Sequence, residues 1–311
     1  TSTAEAAGSI VINDKVKVGA SYNHAQSSGY NLTPAQYQNY NLVPTASKAD
    51  NIAAGIFLTP SDKLKLFAKA YFNQTYEDGL VWTFAHNNWS TWRLLLGGRY
   101  QIDEQSSMNA SGWVASGSFG TINVASGSYT LNNTSATNQF VGQSEGSPSA
   151  DQGASIFYEA NFGPLRDVKI GVDGRRTLIT DYNSLYASAV ANPTTFVTNG
   201  EHRFQGVFGQ GTWRFTGVPV DITVGVRGDF WQALNASVLT QNSSTLNVVP
   251  NTSAASFDPR VGLKFHASDE LSLRTAIFRN FSAPGMNQMY RSFASGTSLT
   301  ATNPNLQPMT N

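Results

Sequence analysis

Residues Asn51–Asn73 read NIAAGIFLTPSDKLKLFAKAYFN. In the first half Ile52, Ala54, Ile56 and Leu58 recur at every second position. Pro60-Ser61-Asp62 then has the chemistry of a tight turn, with proline fixing one backbone angle and Ser and Asp side chains able to bond back to the main chain. Beyond it Leu64, Leu66, Ala68, Ala70 and Phe72 alternate with Lys65, Phe67, Lys69, Tyr71 and Asn73. Side chains two apart share one face of a strand, so this stretch predicts an antiparallel hairpin with one apolar and one polar face.

The same unit returns with different residues. Short turns are expected at Asn13-Asp14, Asp103-Glu104-Gln105, Gly163-Pro164-Leu165-Arg166, Gly217-Val218-Pro219 and Ser268-Asp269-Glu270. The strands they join are expected over Gly8–Ile12 with Lys15–His24, Thr91–Ile102 with Ser107–Gly117, and Ala154–Phe162 with Val168–Thr180. Two more pairs follow, His202–Phe215 with Val220–Trp231 and Phe257–His266 with Leu271–Phe281. The intervening connections are long and rich in Asn, Ser, Gly and Thr, the longest running to about Ala150. Helical periodicity is not convincing anywhere. About a dozen long strands, with short turns on one rim and long polar loops on the other, read as an all-β, antiparallel outer-membrane barrel wall, apolar outside and wet inside.

Composition agrees with such a wall and excludes other classes. Only 13% of the 311 residues are charged, against about a quarter in soluble domains. The absence of Cys removes disulfides and thiolate metal sites, and a formal charge of zero gives no electrostatic case for nucleic acid. No apolar run approaches the ~18 residues of a membrane helix. Thr1 to Gly8 reads as the start of a mature fragment rather than as a signal peptide. Trp89, Trp92, Tyr100, Trp113, Tyr158, Trp213, Phe215, Phe230 and Trp231 lie near strand ends and are expected in interfacial girdles. The four histidines, His24, His86, His202 and His266, are scattered and lie in no catalytic or metal-ligand spacing, so neither enzyme nor cofactor is expected.

The last third is more specific. Phe204–Phe215 reads FQGVFGQGTWRF, Ile222–Phe230 reads ITVGVRGDF and Phe257–Leu263 reads FDPRVGL. Leu271–Tyr290 reads LSLRTAIFRNFSAPGMNQMY, followed by Asn303-Pro304-Asn305-Leu306-Gln307-Pro308. In this order and spacing the pieces resemble the barrel of a TonB-dependent outer-membrane receptor. The motif positions carried over are Phe281, Ala283, Pro284, Tyr290, Asn303, Pro304, Leu306 and Pro308. Three positions depart from the family pattern: Ser282 replaces an Arg, Met309 a Glu, and Gly211 an acidic residue.

The resemblance implies a barrel of about 22 strands with a plugged lumen, of which residues 1–311 would be the N-terminal and middle part as a single domain, without the plug and the closing strands. It also implies a bacterial outer-membrane location, with outer-membrane lipids and the TonB complex of the inner membrane as partners, the latter through the plug segment. An iron–siderophore complex is the expected cargo. Cobalamin or an oligosaccharide stays open. So do a passive pore or smaller complete barrel, and a soluble all-β binding protein.

Inward positions are expected to carry Lys17, Lys65, Lys69, Arg93, Arg99, Lys169, Arg175, Arg203, Arg227, Arg260, Lys264 and Arg274, with Glu159, Asp173, Asp221, Asp229 and Asp258. These charges either focus an anionic ligand into the lumen or pair with one another and with a plug. The long loops hold Tyr30, Tyr37, Tyr40, Trp82, Phe84, Tyr182, Tyr186, Tyr290 and Phe293. Such aromatics among adaptable polar neighbours suit capture of a small ligand at the rim, or packing of loop against loop.

Overall fold

The computed structural model describes the chain except residues 32–42, 80–83, 125–139, 189, 242–244, 291–292, 296–297, 301–302 and 304. The strands of its main sheet are β1 (Ser2–Asn13), β2 (Val16–Tyr30), β3 (Thr45–Ser61), β4 (Leu64–Asp78), β5 (His86–Gln101), β6 (Ser106–Val124) and β7 (Val141–Phe162). They continue with β8 (Leu165–Leu185), β9 (Thr194–Arg214), β10 (Val220–Thr240), β11 (Thr245–Val248), β12 (Thr252–His266) and β13 (Ser272–Phe278). All belong to one 13-stranded sheet in which sequence neighbours pair antiparallel, with the short β11 beside β10. Among the described residues β1 pairs only β2 and β13 only β12, so the sheet is an open portion of a barrel wall.

The six expected turns are all present, and local chemistry closes them. The backbone N–H of Lys15 donates to Asn13 Oδ1 at 2.9 Å, and that of Leu271 donates to Ser268 Oγ at 3.1 Å. Gln105 N–H donates to Asp103 Oδ1 at 2.9 Å, which holds the Asp103 carboxyl below the usual carboxylate range. Gly163 turns with φ 58°, a conformation that glycine adopts without Cβ strain.

Residues opposite one another across a ladder share a face. One rung joins Val16, Leu58, Leu66, Gly98, Ala110, Ile156, Val172 and Val207. The neighbouring rung on the other face joins Lys65, Arg99, Asn109, Phe157, Gly171, Phe208, Arg227 and Asp258. Among the described residues no second layer covers the apolar face: Leu94 is 38% exposed and Val224 51%. A soluble all-β protein would bury these residues; here hydrocarbon must meet them. From Leu64 to Phe72 the outward residues of β4 stay apolar, which on a strand tilted by about 40° spans roughly 20 Å, close to the ~25 Å apolar band of such barrels.

The strands run well beyond that band. β7 has 22 residues, and β8, β9 and β10 have 21 each, against the roughly 10 needed to cross. Segments expected as loop, up to Val124 and from Val141 to Ala150, are ladder-paired strand. Their Ser and Gly have low strand propensity, but both faces are wet at that height, so the ladder forms without apolar alternation. The expected girdle is also redistributed. Trp92, Tyr100, Tyr158, Trp213 and Phe230 face outward, whereas Trp89, Trp113 and Trp231 share the inward face.

Candidate functional site

On the inward face, two clusters of charged side chains adjoin cavities. The first centres on Asp151 of β7. Its carboxylate accepts Trp113 Nε1–H from β6 at 2.8 Å, and from β8 Arg175 Nε–H at 2.6 Å and the Thr177 hydroxyl at 2.8 Å. The adjoining cavity of about 650 Å³ is also lined by Tyr71, Asn73, Thr91, Arg93 and Leu95. Arg93 and Arg175 are thereby brought together. Arg175 is neutralised by Asp151, while Arg93 has no ion pair among the described residues.

The second cluster lies over β9, β10, β12 and β13. Arg227 bonds Asp173 through both terminal nitrogens, at 2.7 and 2.9 Å, and its Nε donates to Asp229 at 2.8 Å. Beside this pair a cavity of about 940 Å³ is lined by Phe204, Phe208, Arg260, Phe278, Arg279 and Asp258, with Phe281 and Ala283 from the segment that follows β13. Asp258 receives the Ser256 hydroxyl at 2.8 Å on one oxygen, and its other oxygen is buried with no hydrogen-bond partner among the described residues. Arg260 has no ion pair among the described residues, so the cavity offers a guanidinium next to apolar rings.

Above this cavity the chain folds back as the short helix α1 (Met286–Tyr290). Met289 and Tyr290 are buried with Trp231, Ala233 and Ala236, and Phe281, Ala283 and Leu306 pack against them. His202 stands edge-on to Trp231 at 5.3 Å and to Tyr290 at 5.8 Å. The motif residues Phe281, Ala283, Tyr290 and Leu306 are thus one packed apolar unit on the inner wall. Burial pushes the Tyr290 hydroxyl up to about 12. Asn303 caps a turn by accepting the N–H of Asn305 at 3.2 Å, and Pro284 and Pro308 are half-buried. Pro304 lies outside the described residues.

The remaining expected positions scatter. Lys69 sits 5.3 Å from the Phe57 ring and 5.4 Å from the Phe67 ring, and Lys169 pairs with Glu159 at 3.3 Å. Arg99 and Arg274 face inward without ion pairs among the described residues. Arg203 is a correction. Its partners across the ladders are Arg176 and Gln232, on the face that carries Val207 and Phe230, so it points away from the lumen. It stands beyond the apolar band, where a polar residue on the outer face looks like an inward one in the sequence.

No ring contact joins Tyr30, Phe84, Tyr182 and Tyr186 among the described residues, and Tyr182 shares the outward face. Tyr37, Tyr40 and Trp82 lie outside the described residues, as does the side chain of Phe293. Sequence reasoning missed Asp151, hidden in a stretch that reads as loop.

The family model of the TonB dependent receptor-like beta-barrel matches residues 11–311. The chain belongs to the TonB-dependent receptor family. Its place is the bacterial outer membrane. Solved structures share the fold at low identity. The siderophore receptor PiuA from Acinetobacter baumannii is 11% identical at a TM-score of 0.72, over 92% of this chain and 48% of its own. The ferric yersiniabactin uptake receptor FyuA from Yersinia pestis is 11% identical at 0.68, over 90% and 44%. The copper transporter OprC is 13% identical at 0.68, over 93% and 46%. The chain therefore spans less than half the length of these three proteins. No curated protein sequence matches it.

Proposed function

We infer that this TonB-dependent receptor chain forms wall and inner site of an active importer for a scarce anionic ligand, a ferric siderophore first among them. Residues 1–311 would act as one barrel domain, and energy relayed by TonB would act through a plug outside these residues. The observation that carries the reading is the cavity under Phe281 and Ala283, where Arg260, without an ion pair among the described residues, stands beside Phe204, Phe208 and Phe278. A cation next to aromatic faces suits an anionic, ring-bearing chelate, since charge fixes orientation and the rings supply contact area. Arg93 in the neighbouring cavity offers a second cation on the same face, also without an ion pair among the described residues. Rim aromatics such as Tyr30, Phe84 and Tyr186 would meet the ligand before it reaches these sites.

Uptake of iron-55 siderophores by host cells with and without the protein, under iron limitation, tests the reading. Energy-dependent uptake of one chelate should vanish in the deletion and fall at least about fivefold with Arg260→Ala, while the variant stays folded in the outer membrane. Undiminished uptake of every chelate in the deletion would overturn it.

A further inference from the structure

We propose that the outer wall of this barrel carries a binding site for one phosphorylated membrane lipid, its phosphate held by Arg176 and Arg203 and its acyl chain lying in a trough over β6–β8. One rung of the outward face reads Gln152, Arg176, Arg203, Gln232, four donors side by side on β7 to β10. Eleven residues separate Leu165 from Arg176, and the rise along a tilted strand, about 28 Å, sets this rung at the upper edge of the ~25 Å apolar band. That is the height of lipid phosphates on the long-loop side.

The two arginines are held in place and are not neutralised. Glu201, 1% exposed, accepts Arg176 Nε–H at 2.7 Å and Nη2–H at 3.1 Å, and Arg203 Nε–H at 2.5 Å. Asn235 closes the fourth side with a bond of 2.9 Å to the same carboxylate. It reaches there because it sits in a β-bulge at φ 55°, a left-handed conformation that asparagine tolerates. Two guanidiniums share one carboxylate, so the group keeps one net positive charge. Their outer ends stay open, with the side chains 41% and 44% exposed. Arginine presents a planar fork that matches phosphate oxygens.

Below them the wall is cut away. The next rung down joins Leu96, Gly112, Ala154, Gly174 and Gln205, leaving three small residues in a row. They line a hollow of about 590 Å³ that also touches Arg176 and Arg203. It adjoins a second hollow of about 820 Å³ bounded by Leu66, Tyr100, Ile156 and Val172. A hydrocarbon trough running up to a cationic fork is complementary to one acyl chain with its phosphate, and a soluble anion would gain nothing from the trough.

The test uses the protein purified from its outer membrane in maltoside micelles, titrated by native mass spectrometry with dioleoyl phosphatidic acid, dioleoylglycerol and inorganic phosphate. Phosphatidic acid should bind at least about tenfold more tightly than either of the others. Arg176→Gln with Arg203→Gln should cost about tenfold. Gly174→Leu, whose side chain would fill the trough, should weaken phosphatidic acid about fivefold and leave inorganic phosphate unchanged. Heat-modifiable migration shows that each variant is folded, and ferric chelate uptake should not change. Equal affinity for inorganic phosphate, or retention of phosphatidic acid by the double variant or by Gly174→Leu, would overturn the proposal.

Discussion

Arg227 of β10 reaches over Gly206 of β9 to chelate Asp173 of β8, two strands away. A Cβ at Gly206 would collide with Nη2 of Arg227, so the bridge exists only because the middle strand has no side chain there. Gly206→Leu should break it as effectively as Arg227→Gln. Each should lower stability by about 1 kcal/mol, the scale of a partly exposed bidentate pair. Both act on one interaction, so the double variant should lose little more than either single one. Urea unfolding midpoints in lipid vesicles measure this. Additive losses, or none with Gly206→Leu, would remove the crossing as a stabilising feature.

Asp151 is the corresponding hub of the first cavity. Asp151→Ala leaves the Trp113 indole N–H and the Arg175 guanidinium without their acceptor. The expected cost is about 1–3 kcal/mol, with a red shift of tryptophan emission as the indole turns to water. Trp113→Phe should reproduce the smaller part of that loss. Emission unchanged by Asp151→Ala would show that the indole is held by packing alone.

How far the sequence could reach follows from which positions face hydrocarbon. Val16, Leu66, Leu94 and Val224 stand on the outer face and Lys69 and Arg99 on the inner one, as alternation requires. That signal is strong because lipid tolerates no polar side chain there. Above the band the constraint lapses. Arg203 on the outer face is then indistinguishable in sequence from a lumen charge, and Ser118–Val124 continues a strand whose apolar residues, Phe119, Ile122 and Val124, keep no period of two. The aromatic residues fail for a related reason. Trp113 and Trp231 have the composition of a girdle, but one bonds an inner carboxylate and the other is buried beneath α1. Tyr290 reads as a loop aromatic until the chain's return onto β9 is known, and no local pattern announces that return.

Adjacent positions on β5 test the two faces directly. Leu96 lies mid-band on the outer face, and Leu95 lines the inner cavity. Leu96→Arg should cost about 2–4 kcal/mol of folding stability in vesicles, the scale for arginine at a bilayer midplane. Leu95→Arg should cost under about 1 kcal/mol, because its charge meets water and its repulsion from Arg93 is screened. Reversed or equal costs would place the two residues on the wrong faces.

The packed unit under α1 gives a pH dependence with a definite sign. Tyr290 is 3% exposed, and burial raises its hydroxyl from near 10 to about 12. Its neutral form is the one the folded state holds, so the stabilisation is complete below pH 10. Between about pH 10 and 12 the unfolded segment releases the proton and the docked one keeps it, so docking weakens as pH rises, by about 3 kcal/mol in all. Absorbance near 295 nm should show a step near pH 12 from Tyr290, and Tyr290→Phe should abolish both that step and the alkaline loosening. A second route to the same site is Gly200, where a Cβ would come within 2.6 Å of the Tyr290 ring. Gly200→Val should undock α1 at neutral pH, make the segment protease-sensitive, and return the late tyrosine to the ordinary range. Protease resistance retained in Gly200→Val, with the late step intact, would mean that Tyr290 is not held against β9.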